Sequence, residues 1–243
     1  MIPSLINNWL RAVGFEIRRV EFHRRFGNDF LRDIKQIVGS EDLTIFDVGA
    51  HHGETSVLFS SHFPTSIIHA FEPFSGAFQK LRDNTSPCGN VIPHNIALGR
   101  ENGVSTIFLN KDSATNSLFP NSSSLSEYAD SRDGVKPIGA ERIEVRRLDT
   151  FCDQNDISKI NVLKLDCQGY EMEILRGSGC YLSPRHIDVI YTEVLFVHLY
   201  EGQAGFIEVF KMLNDSGFKF VGLYGANRNE RGFLKWCDAM FMA

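Results

Sequence analysis

The sequence predicts an α/β protein built on a doubly wound, mostly parallel sheet with an antiparallel last strand, preceded by a helical N-terminal extension. Three observations carry this. Short, continuous apolar runs recur at 43–49 (LTIFDVG), 66–73 (SIIHAFEP), 160–166 (INVLKLD) and 187–194 (IDVIYTEV), and unbroken apolarity of this length marks strands buried on both faces. Segments of helical pattern separate them. Two further strand-like runs, 218–225 (FKFVGLYG) and 235–242 (KWCDAMFM), follow one another closely, as an antiparallel, hairpin-like end to such a sheet would.

Taken in order, residues 1–38 read as helical with a break near Gly27-Asn28. Arg11, Arg18, Arg19, Arg24 and Arg25 are interleaved there with Trp9, Phe15, Phe22 and other apolar residues. Such an amphipathic stretch packs its apolar side on the domain or rests on a partner or a membrane surface. Residues 1–40 are therefore set apart as an extension, and 41–243 as one domain. After the first strand, 54–61 is helical until Pro64; after the second, 74–84 is helical. Residues 90–98 (NVIPHNIAL) read as a third strand. The alternating runs 103–109 and 141–148 suit peripheral antiparallel strands with one wet face. Between them the Ser/Asn/Asp-rich stretch 110–140 is too long for an ordinary connection and reads as an acceptor lid. The strand at 160–166 turns at Gln168-Gly169 into a helix ending at Gly177, and the helix at 203–216 stops at Gly217.

Composition narrows the function. With 243 residues, 43% hydrophobic and 23% charged, the chain is an ordinary globular one. A net charge of −5 argues against general nucleic-acid binding, which needs a positive surface. The five cysteines are scattered and form no CxxC pair, which suits free thiols in a reducing compartment rather than a disulfide scaffold or zinc ribbon. No signal-peptide core and no window of about 18 apolar residues is present, so a cytoplasmic protein is expected, with peripheral membrane contact and homo-oligomerisation left open.

In an open parallel sheet, ligands bind at the carboxyl ends of the strands. The residues there are Asp47 with Gly49, Glu72 with Pro73, Asn95 to Leu98, Asp166 and Glu193. The loop DVGAHHG places Gly49, Ala50, His51 and Gly53 where strand becomes helix, and small residues there expose backbone amides to a ligand. It lacks both GxGxxG and a lysine-bearing phosphate loop, and Glu54 sets negative charge where an anion would sit. Glu72, about 20 residues past the glycines, suits the two hydroxyls of a ribose. A nucleoside without a demanding phosphate follows, and S-adenosylmethionine matches: sulfonium near Asp47, ribose on Glu72, adenine further along the sheet edge. His51 and His52, adjacent on a turn, are expected to point different ways, and with no second pair at ligand spacing no metal is expected there.

The ordered set DVGAHHGETS, AFEP, NIALG, LDTF, LKLDCQGYEMEILRG and WCDAMF resembles the FkbM-type S-adenosylmethionine-dependent methyltransferases, from about residue 43 to the C-terminus. The resemblance implies a Rossmann-like class I methyltransferase fold and O-methylation of a hydroxyl on a small molecule or sugar. It also implies a cofactor loop of Asp47, Gly49 and Gly53 with Glu72 on the ribose; Ala50, His51, Pro73, Asn95, Ala97 and Asp166, in the same loop and at the same strand ends, are further candidate cofactor contacts. Members commonly carry asparagine where this chain has His51.

For catalysis, Asp166 reads either as a helix-start acid or as an acceptor ligand and base. Glu193 and His198 are further candidates for taking the hydroxyl proton, and Asp166 with Glu193 could instead hold a divalent ion. Ser117, Gln168 and Tyr170 are candidate acceptor contacts. Two rivals stand beside this reading: a nicotinamide-dependent oxidoreductase, which the missing GxGxxG disfavours, and a non-catalytic cofactor-binding assembly protein.

Overall fold

The computed structural model describes residues 26–128 and 133–243. The elements, in chain order, are α1 Phe30–Val38, β1 Thr44–Val48, α2 Glu54–His62, β2 Ile67–Phe71, α3 Ser75–Thr85, β3 Val91–His94, β4 Ala97–Leu98, β5 Gly103–Asn110, α4 Leu125–Tyr128, β6 Pro137–Arg146, α5 Leu148–Gln154, β7 Ile160–Leu165, α6 Glu171–Arg176, β8 Ile187–Leu195, α7 Phe206–Asp215, β9 Lys219–Arg228 and β10 Leu234–Met242.

Seven strands form the main sheet in the order β3-β2-β1-β7-β8-β10-β9. The first five pair in parallel. β10 runs antiparallel to both of its neighbours, β8 and β9. The winding starts at β1 and proceeds to opposite sides, so the crevice at the carboxyl ends of β1 and β7 is the expected ligand position. Each face has its own core. On one, Phe46, Phe71 and Phe151 pack ring to ring at 4.9–5.7 Å. On the other, Ile34 of α1 and Phe59 of α2 close over Ile45, Ile68 and Val162.

α1 is fixed by polar contacts as well. The side chain of Asp29 accepts from Arg32 N at its start. Asp33, fully buried, accepts from Gly27 N at 2.7 Å and from the Tyr224 hydroxyl of β9 at 2.9 Å. The five arginines of the N-terminal stretch lie outside the described residues.

Three segments differ from expectation. Residues 90–98 are not one strand. The Asn95 amide donates to the Glu72 and Pro73 carbonyls at 2.9 and 3.0 Å and turns the chain. β3 therefore stays in the main sheet while β4 joins β6 and β5 in a second, three-stranded one. β6 begins at Pro137, and the chain leaves the strand after Arg146, because Leu148, Phe151 and Cys152 recur at helical spacing and bury one face of α5. The described parts of the polar stretch 110–140 are also more tied to the fold than their composition suggests. They bridge back through Phe108↔Ser117 and Asn121↔Tyr200, and Ser122 Oγ donates to the His198 carbonyl at 2.8 Å.

Away from the crevice, His69 of β2 and His94 of β3 meet Nδ1 to Nε2 at 3.0 Å. Burial lowers both pKa values to about 4, so both rings are neutral in the fold. Between pH 6.5 and 4 the unfolded chain takes up protons that the folded one does not, and stability falls as pH falls. A loss of roughly 2–4 kcal/mol from pH 7 to pH 5 is expected, read from denaturant midpoints. His94→Leu should flatten the decline.

Candidate functional site

At the end of β1, Asp47 is fully buried. Ser56 of α2 donates to its Oδ2 at 2.6 Å. Its register partner across β7 is Lys164, whose Nζ lies 3.0 Å from Oδ1. The two groups form a buried ion pair. The same ammonium donates to the Gly49 carbonyl at 3.1 Å and stands 3.6 Å from Asp166 Oδ2. Burial opposes its charge, but Asp47 and Asp166 outweigh burial and its pKa is raised. A protonated lysine thus clamps two acids and a loop carbonyl at the crevice floor.

The loop that follows is tied to β2: Gly49 N and Ala50 N both donate to the Phe71 carbonyl at 3.0 Å. Gly49, at φ +77°, leaves no room for a side chain, since a Cβ would overlap the Asp166 carbonyl oxygen and come within 2.8 Å of its carbon. Gly53 does not line the cavity. A Cβ there would meet Leu81 and Thr85 of α3, so this glycine serves helix packing. His51 has φ +49°, and this brings its ring onto that of His52, with centroids 3.6 Å apart. The expectation that the two point apart is corrected accordingly. Their ring nitrogens and a Glu54 oxygen lie within 4.8 Å of one another, but His51 Nε2 is engaged by Ser113 Oγ at 2.8 Å.

Glu72 at the end of β2 is buried. One carboxylate oxygen accepts from His51 N and the other from Phe74 N, each at 2.9 Å. Burial raises its pKa to about 7 against those two bonds and Lys164. Gly49, Ala50, His51, Glu72, Pro73 and Ala97 all line a cavity of about 280 Å³. Toward β2 and β4 its wall is apolar, with Phe71, Ile96, Leu98 and Ile107; toward β7 and β8 it is polar, with Lys164, Asp166 and Glu193. Asp47 lies beneath and reaches the cavity through Lys164, while Asn95 shapes the turn behind Glu72.

The polar end is organised by Gln168, in the left-handed region at φ +53°. Its Nε2 donates to Asp166 Oδ1 at 3.1 Å and Glu193 Oε2 at 3.3 Å, and its Oε1 accepts from the Tyr200 hydroxyl at 2.8 Å. Burial, and then Asp166, Glu171 and Asp238, push the Glu193 carboxyl well up. Glu171 is pushed up to about 7 by burial and accepts from Cys167 N and Gly169 N, which holds the turn. Tyr170 lines the cavity and packs edge-on against Phe119. Ser117 is buried, donates to the Gln168 carbonyl at 2.7 Å, and so anchors the 110–140 stretch rather than facing the cavity. His198 is exposed, 3.7 Å from Glu201, and is not brought to this group. Gln168 and Glu193 also border a second cavity, toward Tyr200 and Trp236.

Sequence reasoning missed Lys164, Tyr200 and Trp236. Lys164 left one signal, a lysine inside an otherwise apolar strand run. The two aromatics left none beyond their residue type.

A domain model described as methyltransferase FkbM matches residues 47–220. The 2-O-methyltransferase NoeI of Sinorhizobium fredii is 27% identical over 179 residues, 71% of this chain and 71% of that protein. Methyltransferase 1 of Beauveria bassiana is 26% identical over 187 residues, 73% of each. The hexuronic acid methyltransferase AglP of Haloferax volcanii is 27% identical over 138 residues, 56% of this chain and 50% of that protein.

Proposed function

The chain belongs to the FkbM family of S-adenosylmethionine-dependent methyltransferases, and from that premise we propose that it methylates a sugar hydroxyl, with the cofactor in the crevice between Glu72 and Glu193. The observation that carries the reading is Glu72, a buried carboxylate at the end of β2, in one cavity with the Gly49 loop and with Asp166 and Glu193. A relative named as a 2-O-methyltransferase and one named for hexuronic acid support a sugar oxygen as acceptor.

The residues present suit the cofactor's chemistry. Glu72 keeps carboxylate lone pairs for ribose hydroxyls after serving two backbone amides. Phe71, Ile96, Leu98 and Ile107 offer an apolar slot for a purine. Asp166, and Glu193 once ionised, favour a cation at the other end. When bound, S-adenosylmethionine supplies an electrophilic methyl group on a sulfonium. What this chain contributes is position and a proton acceptor. With the cofactor held there, the Asp166–Glu193 pair would be placed to take the proton of the acceptor hydroxyl as it is methylated. Gln168 holds both acids in place. Glu193, whose carboxyl burial pushes up, takes a proton only once ionised. A cytoplasmic location is part of the same reading, in keeping with five free thiols.

Calorimetry with S-adenosylhomocysteine tests this. Glu72→Ala is expected to weaken binding about 100-fold, the loss of two charge-assisted hydrogen bonds. Because the ionised carboxylate is the better acceptor and its pKa is about 7, affinity should rise about tenfold from pH 6 to pH 8. Glu72→Gln should abolish that slope. No binding by the unaltered protein would end the proposal.

A further inference from the structure

Gln168 is a partition. Its amide group touches Asp166 and Glu193 on one side and Tyr200 on the other, and its backbone carbonyl is held by Ser117. On the Tyr200 side lies a second cavity of about 250 Å³. Resting on the function proposed above, we infer that this cavity is the acceptor subsite and that it takes a sugar ring without a carboxylate.

Two features point to a sugar. The lining is two-natured: Leu125, Val135, Leu199 and the Trp236 indole are apolar, while Asp112, Thr115 and Glu193 are polar. A pyranose has the same character, with C–H faces that suit an aromatic ring and an equatorial rim of hydroxyl donors that suit carboxylates. The indole is also held in place. Lys235 Nζ lies 4.2 Å from its centroid and donates to the Tyr128 carbonyl at 3.1 Å. A fixed aromatic surface binds without the entropic cost of ordering it.

The location points to the acceptor. Glu193 and Gln168 line both cavities. A hydroxyl entering from the Trp236 side therefore meets Glu193 at the wall, and the cofactor cavity lies directly beyond.

Charge sets the class. Among the described residues that line the second cavity, Asp112 and Glu193 are the ionisable acids and none is a lysine, arginine or histidine. The nearby Lys111 and Lys136 are both paired with Asp133. Burial, and after it the neighbouring acids, push the Glu193 carboxyl up against Lys164, and a sugar carboxylate entering beside it meets the same burial and the same acids. A uronate here would be desolvated next to acids, and the Lys235 ammonium near the indole does not line the cavity and already donates to the Tyr128 carbonyl. An uncharged ring meets no such penalty, and a ring bearing an ammonium gains from the field. This separates the chain from a hexuronic acid methyltransferase such as AglP, while retaining a sugar-type acceptor.

The test uses the full chain saturated with S-adenosylhomocysteine. Saturation-transfer NMR is run with methyl glycosides of gluco, galacto and manno configuration, each as the neutral sugar, the 2-amino sugar and the uronate. Neutral or amino glycosides should bind at least tenfold more tightly than the matching uronates. Trp236→Ala should weaken that binding at least tenfold and leave S-adenosylhomocysteine affinity within twofold. If Trp236→Ala does not fold, Trp236→Leu serves in its place. Asp112→Lys should shift the preference toward uronates. A uronate preference in the unaltered protein overturns the inference, as does sugar binding indifferent to Trp236. Cofactor-product binding with no glycoside bound overturns the subsite alone. Failure to bind S-adenosylhomocysteine overturns the proposed function and the subsite with it.

Discussion

Alanine at position 49 is expected to cost at least about 3 kcal/mol of stability and to remove measurable cofactor-product binding. Gly49 has φ +77°, where an L-residue is already strained, and the added Cβ would overlap the Asp166 carbonyl. Neither side can give way. Asp166 N donates to the Val48 carbonyl at 3.1 Å, and Gly49 N and Ala50 N are both bonded to Phe71. Relief would require β1 and β7 to part at the point where the cavity forms. Denaturant unfolding reads the first effect and calorimetry the second. Gly53→Ala is the comparison. It has a similar positive φ, but its close neighbours are the side chains of Leu81 and Thr85. It should destabilise less and leave binding largely intact, and an equal loss of binding at both positions would contradict the assignment of Gly49 to the cavity.

Lys164→Ala is expected to lower unfolding stability by about 3–5 kcal/mol. The lysine is the counter-charge to fully buried Asp47, and it also holds the Gly49 carbonyl and approaches Asp166. Removing it leaves a carboxylate in a place that water does not reach. The double variant Asp47→Asn, Lys164→Met should recover much of that loss, because an uncharged pair has no orphaned charge to hide. If the double variant is no more stable than Lys164→Ala, the cost lies in packing rather than in the broken ion pair. The Lys164 pKa is raised, so it stays charged across the neutral range and the variant's deficit should persist there.

The parts of this site that could be read from the sequence are those a strand dictates by itself. A parallel strand buried on both faces is a run of apolar residues, and the acid or glycine that ends it marks the crevice; Asp47, Glu72, Asp166 and Glu193 were found in that way. The break between β3 and β4 was not legible. Both halves are apolar, and the turn depends on Asn95 reaching the carbonyls of Glu72 and Pro73. Lys164 read as one polar residue in a strand because its partner, Asp47, sits on a strand far away in sequence. How the 110–140 stretch is tied down was not legible, because side-chain hydroxyls on distant carbonyls, such as Ser117 on Gln168 and Ser122 on His198, leave no periodic pattern. Ser117 and His198 drew attention by residue type; the fold uses the first as an anchor and leaves the second in water.

The strand order has a consequence for biosynthesis. β9 is made before β10, yet its neighbour in the sheet is β10, which lies between it and β8. On an emerging chain, β9 lacks its native partner, and β8, which carries Glu193, presents its outer edge bare. Only when β10 slots in between do both strands gain their partners in one step. Until then the nascent protein displays an open, strongly apolar strand edge of the kind that invites pairing with another chain.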